Sequence, residues 1–232
     1  MDLDTLLASP PRLHLLADGT PVPLEVSEEV MRTIDGIAGP DTRSLETGAG
    51  LSTVLFALKG GEHTTVVPWA AEIERIKGWC ADNEISTDRI TFHQSPSEEI
   101  LPSLESDPLD LVLIDGAHGF PSPFIDWYYA GRRLRRGGTL IVDDTNIWTG
   151  RVLQQFLAAE PGWEVERTFP MRAAVLKRTA DPEPLPDWVH QPYVTRRSWN
   201  GGVRGAVRKA VKGAEMVRRG ELGRLARRAR QG

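Results

Sequence analysis

The chain has 232 residues, 40% of them hydrophobic and 26% charged, a globular composition that excludes collagen-like, mucin-like and wholly disordered chains. This length suits one main domain with appendages, and no run approaches the roughly 18 apolar residues needed to span a bilayer. The formal net charge of −4 is unevenly distributed: residues 1–194 carry 16 basic and 30 acidic side chains, so this acidic body will not attract nucleic acid unaided.

The predicted elements begin with an irregular, proline-punctuated segment over residues 1–22. Apolar residues at helical spacing then predict a helix from Val26 to Ile37, which ends before Gly39-Pro40. From residue 43 onward, predicted strands and helices alternate. The strands are Arg43–Thr47, Thr64–Val67, Arg89–His93, Leu109–Asp115 and Gly138–Asp143, and the helices between them are Leu51–Lys59, Ala70–Asn83, Pro96–Leu104 and Pro123–Leu134. This alternation indicates a parallel sheet covered by helices on both faces.

The sheet is predicted to end in an antiparallel pair. After a helix over Gly150–Glu160, the strands Trp163–Phe169 and Ala173–Lys177 are separated by a turn too short for a parallel crossover. The predicted fold class is therefore α/β, with a doubly wound, mostly parallel sheet in a domain over residues 23–180.

Two further segments follow this domain. Residues 181–194 are predicted to be a stiff linker, because the prolines of Asp181–Asp187 deny backbone donors and block a helix. Residues 195–232 carry 12 basic and two acidic side chains, and their apolar residues recur at helical spacing, which predicts a basic amphipathic tail. Three interpretations stay open: a helix resting on the acidic body, an arm that binds an anionic membrane, nucleic acid or a partner protein, and a frayed extension.

The turn after the first predicted strand is a candidate ligand site. In open α/β sheets, ligands bind at the carboxyl ends of the strands. Here Gly48 and Gly50 permit a sharp turn and close backbone approach, beside Glu46 and the hydroxyls of Ser52 and Thr53. A ligand-binding corner is favoured over an empty tight turn.

A nicotinamide-dependent dehydrogenase is disfavoured at this corner. The dinucleotide fingerprint requires a third glycine where Thr53 stands, and an acid at the end of the second strand. Pro68-Trp69 occupies that second position.

Acidic residues follow two later strands, which the alternation places side by side. Asp115 ends one apolar strand, and Asp143 and Asp144 end the next. Carboxylates this close repel one another unless a cation neutralises them, and hard oxygen ligands suit Mg²⁺. The alternative, that Asp143 or Asp144 caps the next segment, stays open. His118 is a candidate proton acceptor, set against a scaffold role.

Other reactive residues are predicted to be structural. Cys80 is the sole cysteine, which excludes an intramolecular disulfide and predicts a small core residue. Together with the absence of a secretory leader, it predicts a cytoplasmic protein. Surface or packing roles are predicted for four histidines without ligand spacing, His14, His63, His93 and His190.

Three motifs together resemble one enzyme family. They are LETGAGLST at 45–53, DLVLIDGAH at 110–118 and RGGTLIVDD at 136–144. As a set they are similar to class I S-adenosylmethionine-dependent methyltransferases, in the branch of the catechol and macrocin-type O-methyltransferases. The resemblance spans roughly residues 25–178 and implies a seven-stranded Rossmann-like sheet.

The resemblance also implies roles for individual residues. The implied cofactor-binding positions are Glu46, Gly48, Gly50, Ser52, Ser95, Ser97 and Asp115. In metal-dependent members, Mg²⁺ is held at the positions of Asp115, Asp143 and Asp144, and Asp115 or His118 then takes the acceptor's proton. One departure concerns the acid that the family usually places at the end of the second strand, where it holds the ribose hydroxyls of the cofactor. Pro68-Trp69 stands there instead, so either Glu72 takes over this role or the affinity for the cofactor is reduced.

The predicted function is accordingly S-adenosylmethionine-dependent O-methylation of a hydroxyl on a small-molecule acceptor, with assistance from Mg²⁺. The chain is predicted to form a homo-oligomer. One alternative is a metal-independent methyltransferase with His118 as the base. The other is a non-catalytic binding module that uses its basic tail for attachment to a membrane, nucleic acid or protein.

Overall fold

Seven strands form one sheet in this chain, whose computed structural model describes residues 1–16, 18–22, 26–105 and 107–198. The strands are β1 (Arg43–Thr47), β2 (Glu62–Val66), β3 (Ile90–His93), β4 (Leu109–Ile114), β5 (Leu134–Val142), β6 (Trp163–Phe169) and β7 (Ala173–Arg178). Their spatial order is β3-β2-β1-β4-β5-β7-β6. The first five pair in parallel, and β7 lies antiparallel between β5 and β6. The predicted α/β class and its terminal antiparallel pair are confirmed.

Two helices precede β1, and one helix lies in each connection from β1 to β6. These helices are α1 (Leu3–Ala8), α2 (Glu28–Ile37), α3 (Leu51–Lys59), α4 (Ala70–Asp82), α5 (Ser97–Ile100), α6 (Ser122–Tyr129) and α7 (Trp148–Leu157), and α8 (Pro192–Arg197) follows the sheet. Within the described ranges, every helix is too short or too polar to cross a bilayer.

The middle of the sheet is apolar on both faces. Leu111, Val112 and Leu113 of β4 are fully buried, as are Leu140 and Ile141 of β5. A strand covered on both sides shows a continuous apolar run rather than alternation, which explains the sequence of these two strands. The prediction that the lone cysteine is a core residue is also confirmed, since Cys80 is buried in the main hydrophobic cluster.

The N-terminal segment is more ordered than the sequence analysis predicts. Residues 1–22 were expected to be irregular, but α1 begins there, with the side chain of Asp2 accepting a hydrogen bond from the backbone N–H of Thr5. Leu3, Leu6 and Leu13 are buried in the same cluster as α2 and α3. The correction has a simple cause, because α1 is too short for a clear periodic pattern and is held by packing.

The boundary between α6 and β5 is also corrected. The helix ends at Tyr129 instead of Leu134, a short 3-10 turn follows, and β5 begins at Leu134 instead of Gly138. Gly137 lies within the strand and has a φ of +83°. The pairing of β4 with β5 shifts register at this point, so the glycine serves a bulge.

Contacts divide the chain into two units, Met1–Glu183 and Pro184–Gly232. Residues 181–187 have no regular secondary structure, which is what the sequence predicts for a proline-rich connector. The predicted linker nevertheless ends early, because a 3-10 turn at Trp188–His190 and α8 follow it. In α8, the guanidinium of Arg197 lies 3.6 Å from the ring centroid of Tyr193. The predicted basic tail lies outside the described residues from position 199 onward.

Candidate functional site

A cavity of about 570 Å³ opens at the carboxyl ends of β1, β2, β4 and β5. This is the edge of the sheet at which open α/β folds bind their ligands, and the volume is typical of small-molecule sites. Its wall comprises His14, Thr47, Gly48, Ala49, Val66, Val67, Pro68, Trp69, Glu72, Pro96, Ser97, Glu98, Asp115, Gly116, Ala117, His118, Ser122, Asp143, Asp144 and Arg172.

The glycine corner is shaped by close packing. Gly48 has a φ of +90°, and a Cβ atom there would collide with the backbone carbonyl oxygen of Asp115. Only glycine therefore allows the turn after β1 to approach the end of β4. Gly50 is not on the cavity wall; a Cβ atom there would lie 2.8 Å from Nε2 of His14.

The carboxylate of Glu46 is directed into the protein rather than into the cavity. It is buried and accepts hydrogen bonds from the hydroxyls of Ser52, at 2.7 Å, and Thr53. His63 Nε2 lies 3.1 Å from the same carboxylate. The structure thus brings neither Glu46 nor Ser52 to the cavity, and their predicted cofactor contacts stay predictions from the resemblance.

The two predicted serines differ from each other. Ser97 lies on the cavity wall at the start of α5. Ser95 does not, and its hydroxyl donates to the carbonyl oxygen of Pro96 at 3.2 Å.

The three carboxylates at the ends of β4 and β5, Asp115, Asp143 and Asp144, form the acidic rim of the cavity. Asp115 and Asp144 converge with His118, so that one potential ligand atom from each lies within 4.8 Å of the others. His118 Nε2 is 3.1 Å from Asp144 Oδ2. The hydroxyl of Thr149 donates to the backbone carbonyl of His118 at 2.6 Å and so fixes this loop.

Asp143 is not a member of that converging group. Its side chain is on the cavity wall and buried, and among the described residues its Oδ1 has no hydrogen-bond partner. Burial first, and then the charge of Asp144, raise the pKa of Asp143 to about 6. The structure therefore adds His118, which the predicted metal set lacks, to Asp115 and Asp144, whereas Asp143 lies close enough for its charge to act on Asp115.

The electrostatics of the rim centre on Asp115. Burial, followed by the negative charges of Asp143 and Asp144, raises the pKa of Asp115 well above its ordinary value. Arg172, in the turn between β6 and β7, also lies on the wall and acts in the opposite direction.

Two residues near the cavity were not foreseen or were assigned differently. His14, predicted to have a surface or packing role, lines the cavity and lies 3.3 Å from Glu72. Asp126 of α6 is fully buried behind the wall and accepts a hydrogen bond from the hydroxyl of Thr47 at 2.8 Å. No sequence signal marks Asp126, because it stands alone among apolar and aromatic neighbours in a helix.

Comparisons with known proteins agree with this architecture. The family model described as "Methyltransferase domain" matches residues 45–145. A catechol O-methyltransferase from Mycobacterium tuberculosis is 34% identical over 109 residues, which are 44% of this chain and 47% of the relative. The match thus spans about half the length of that curated relative.

Solved structures share the fold. A cofactor-bound protein from MTB, Rv0187, has 22% identity and a TM-score of 0.60, with 77% of this chain and 90% of that chain covered. The O-methyltransferase TomG from Streptomyces achromogenes, solved with SAM, has 19% identity and a TM-score of 0.56, with 68% of this chain and 82% of that chain covered. Identities this low establish a common fold and leave the reaction to be argued from the site.

Proposed function

We propose that this chain, which a methyltransferase-domain model matches over residues 45–145, is a class I S-adenosylmethionine-dependent methyltransferase that transfers a methyl group from S-adenosylmethionine to a hydroxyl oxygen of a small-molecule acceptor. The observation that carries the proposal is that Gly48 and the acidic rim line one cavity. Methyl transfer is an in-line displacement, so donor and acceptor must be held side by side. A single cavity that joins a glycine corner to a row of carboxylates suits that requirement.

The glycine end of the cavity is the proposed cofactor site. When bound, S-adenosylmethionine supplies a methyl group already activated by the sulfonium charge. Gly48 leaves the backbone open to close approach, and a cavity of about 570 Å³ suits a ligand of this size. The negative charge of the acidic rim favours a cationic ligand.

The other end of the cavity is the proposed cation site. Asp115, His118 and Asp144 would hold a divalent ion there, and their two carboxylates and one imidazole fit such a group. When bound, the ion lowers the pKa of the acceptor hydroxyl. An imidazole in the set makes Mn²⁺ as suitable as the predicted Mg²⁺. The unpartnered Oδ1 of Asp143 is available for a hydrogen bond to acceptor or water.

The pair of His118 and Asp144 supports a second candidate, a metal-independent transferase. Nε2 of the imidazole is 3.1 Å from Oδ2 of the carboxylate. A histidine held in this way can take a proton from a hydroxyl, and the neighbouring carboxylate stabilises the imidazolium that results. In this candidate no cation is required for transfer.

Two exposed aromatic side chains, in the segments that follow β4 and β5, suit an acceptor with a flat ring. Phe120, two residues after His118, is 72% exposed, and its ring centroid is 6.4 Å from that of Trp148. Trp148, which is 57% exposed, precedes the threonine that fixes the His118 loop. Aromatic rings prefer offset or tilted contacts at such spacing. The name of the curated relative, a catechol O-methyltransferase, makes an aromatic diol the first acceptor to test.

Calorimetric titration of the full chain with S-adenosylmethionine, followed by a methyl-transfer assay with an aromatic diol, tests the proposal. We expect binding, and transfer that Mn²⁺ or Mg²⁺ stimulates and a chelator removes. Transfer that the chelator leaves unchanged supports the His118 candidate. Binding without transfer to any of a panel of hydroxylated acceptors favours the non-catalytic module, and failure to bind the cofactor contradicts the proposal.

The remaining sequence-based predictions concern the context of the reaction. The chain is proposed to act in the cytoplasm as a homo-oligomer. Its strongly basic residues 195–232 are proposed to attach the acidic body to an anionic membrane, with nucleic acid or a partner protein as the alternatives.

A further inference from the structure

The wall of the cavity contains a side-chain pair that joins the N-terminal segment to α4. Glu72 lies in the first turn of α4, and His14 belongs to the segment between α1 and α2. His14 Nδ1 is 3.3 Å from Glu72 Oε1, and the two side chains are 10% and 18% exposed. Both residues line the cavity.

Two hydrogen bonds to the backbone and the space left by a glycine determine where His14 lies. The guanidinium of Arg75 donates from Nε to the carbonyl oxygen of Leu13 at 2.5 Å, and the side chain of Leu13 is buried in the core. The backbone N–H of Val22 donates to the carbonyl oxygen of His14 at 3.1 Å. On the other side, the missing side chain of Gly50 makes room for the ring. His14 is therefore fixed between the glycine corner and α4.

The adjacent part of the wall lacks the acid that nucleotide-binding sheets place there. β2 is followed by Val67, Pro68 and Trp69, which line the cavity and carry no carboxylate. In related sheets, an acid about 20 residues after the glycine corner accepts hydrogen bonds from the ribose hydroxyls. Glu72 is 24 residues after Gly48. Its Oε1 faces His14, whereas its Oε2 has no hydrogen-bond partner among the described residues.

We propose that Glu72 binds the ribose hydroxyls of the cofactor and that His14 is the positioning residue that orients its carboxylate. The N-terminal segment thereby completes the cofactor site, and Gly50 acts by admitting His14 rather than by touching the ligand. This inference rests on the proposed function, because it assumes a ligand that carries adenosine. A carboxylate held from one side by an imidazole offers its second oxygen to a hydroxyl, and such charge-assisted bonds are among the stronger ones.

The test uses S-adenosylhomocysteine and its 2′-deoxyribose analogue, titrated calorimetrically into the full chain. We expect the parent chain to bind the ribose form about tenfold more tightly than the deoxy form, which corresponds to one hydrogen bond to a charged group. Glu72→Gln should weaken binding of the ribose form about tenfold and remove the preference. Glu74→Gln, an exposed carboxylate on the same helix, is the matched control and should retain it.

Variants of His14 separate positioning from folding. His14→Ala should reduce the preference for ribose severalfold, and His14→Gln, whose amide can still donate to Glu72, should restore part of it. Arg12→Ala, an exposed neighbour, should change nothing. If Glu72→Gln keeps the parent preference while binding the cofactor, the ribose assignment is wrong and the proposed function stands. If the parent chain binds neither ligand, both proposals fail.

Discussion

Asp144 adopts a left-handed backbone conformation, with a φ of +49°, directly after β5. Few residues other than glycine tolerate this conformation, and it costs roughly 1 kcal/mol, which functional sites often accept. Its consequence is visible in the contacts: the carboxylate faces His118, in the loop after β4, at 3.1 Å. Asp143, still in extended register with the strand, is left as a buried carboxylate beside the group.

This geometry predicts which residues bind a cation. His118→Ala should weaken Mn²⁺ binding at least about tenfold, because one of three ligand atoms is removed. Asp143→Asn should change the affinity less than about threefold, because Asp143 is not in the converging group. Calorimetric titration of both variants with Mn²⁺ measures the difference. A larger loss of affinity for Asp143→Asn than for His118→Ala would favour Asp115, Asp143 and Asp144 as the ligands.

Sequence reasoning succeeds for individual residues where topology decides their position. Asp115 and Asp144 were predictable because the carboxyl ends of adjacent parallel strands meet at one edge. Glu46 also ends near that edge, yet its carboxylate turns back to the hydroxyls of Ser52 and Thr53. A strand pattern gives a residue's place along the chain, whereas the choice between cavity and interior depends on partners that only the folded chain brings together.

The helix α6 contributes a buried carboxylate to the structure behind the cavity. Burial raises the pKa of Asp126 to about 6, in spite of hydrogen bonds from Ser97 and Thr47 that lower it. Because the folded state holds this proton more tightly than the unfolded state, the group's contribution to stability is fully present below its ordinary pKa of 3.8. The contribution is lost as the pH rises through about 6.

Asp126→Asn should therefore flatten the pH dependence of stability. Between pH 5 and pH 8, the parent chain should lose about 1.5 kcal/mol more of its free energy of unfolding than the variant. Denaturant unfolding at the two pH values measures this difference. Asp82→Asn, at an exposed site in α4, should follow the parent chain, and parallel curves for Asp126→Asn and the parent would disprove the assignment.

Elements with a complete local signal were predicted closely. β1 and α3 begin and end where the sequence indicates, because the glycine turn at 48–50 separates a short strand from a largely apolar helical run. α5 is the exception among the helices between β1 and β4, since it ends at Ile100 rather than Leu104. The start of β5 was missed because pairing of Leu134 with Leu109 overrides the local preference of Gly137. Tertiary pairing of this kind has no counterpart in a local pattern.

At the scale of the molecule, the N-terminal segment belongs to the core. Leu6 is fully buried against the cluster that includes α2. Leu6→Ala should reduce the free energy of unfolding by about 2–5 kcal/mol, through lost burial and the cavity that remains. Leu16→Ala, at a side chain that is 53% exposed, should cost far less. Equal effects in denaturant unfolding would show that α1 does not pack as described.

The charge of residues 199–232 leads to a prediction for the whole chain. Each basic residue near an anionic bilayer contributes about 1 kcal/mol of attraction at most. The full chain should therefore sediment with phosphatidylserine-containing vesicles at low salt, and a chain that ends at Ser198 should not. Vesicles of phosphatidylcholine alone are the control. Equal binding by both chains would show that residues 199–232 do not attach the chain to an anionic membrane. Nucleic acid, a partner protein and the acidic body would then be the remaining candidates for their contact.

The contact between His14 and Glu72 joins residues 58 positions apart, and that between Arg75 and Leu13 joins residues 62 apart. Bringing such distant positions together costs chain entropy before any contact compensates for it, so these pairs form slowly. When the chain is synthesised from its first residue, the N-terminal segment must wait until α4 has emerged and packed. The wall of the cavity between the N-terminal segment and α4 is therefore completed only after that helix has left the ribosome.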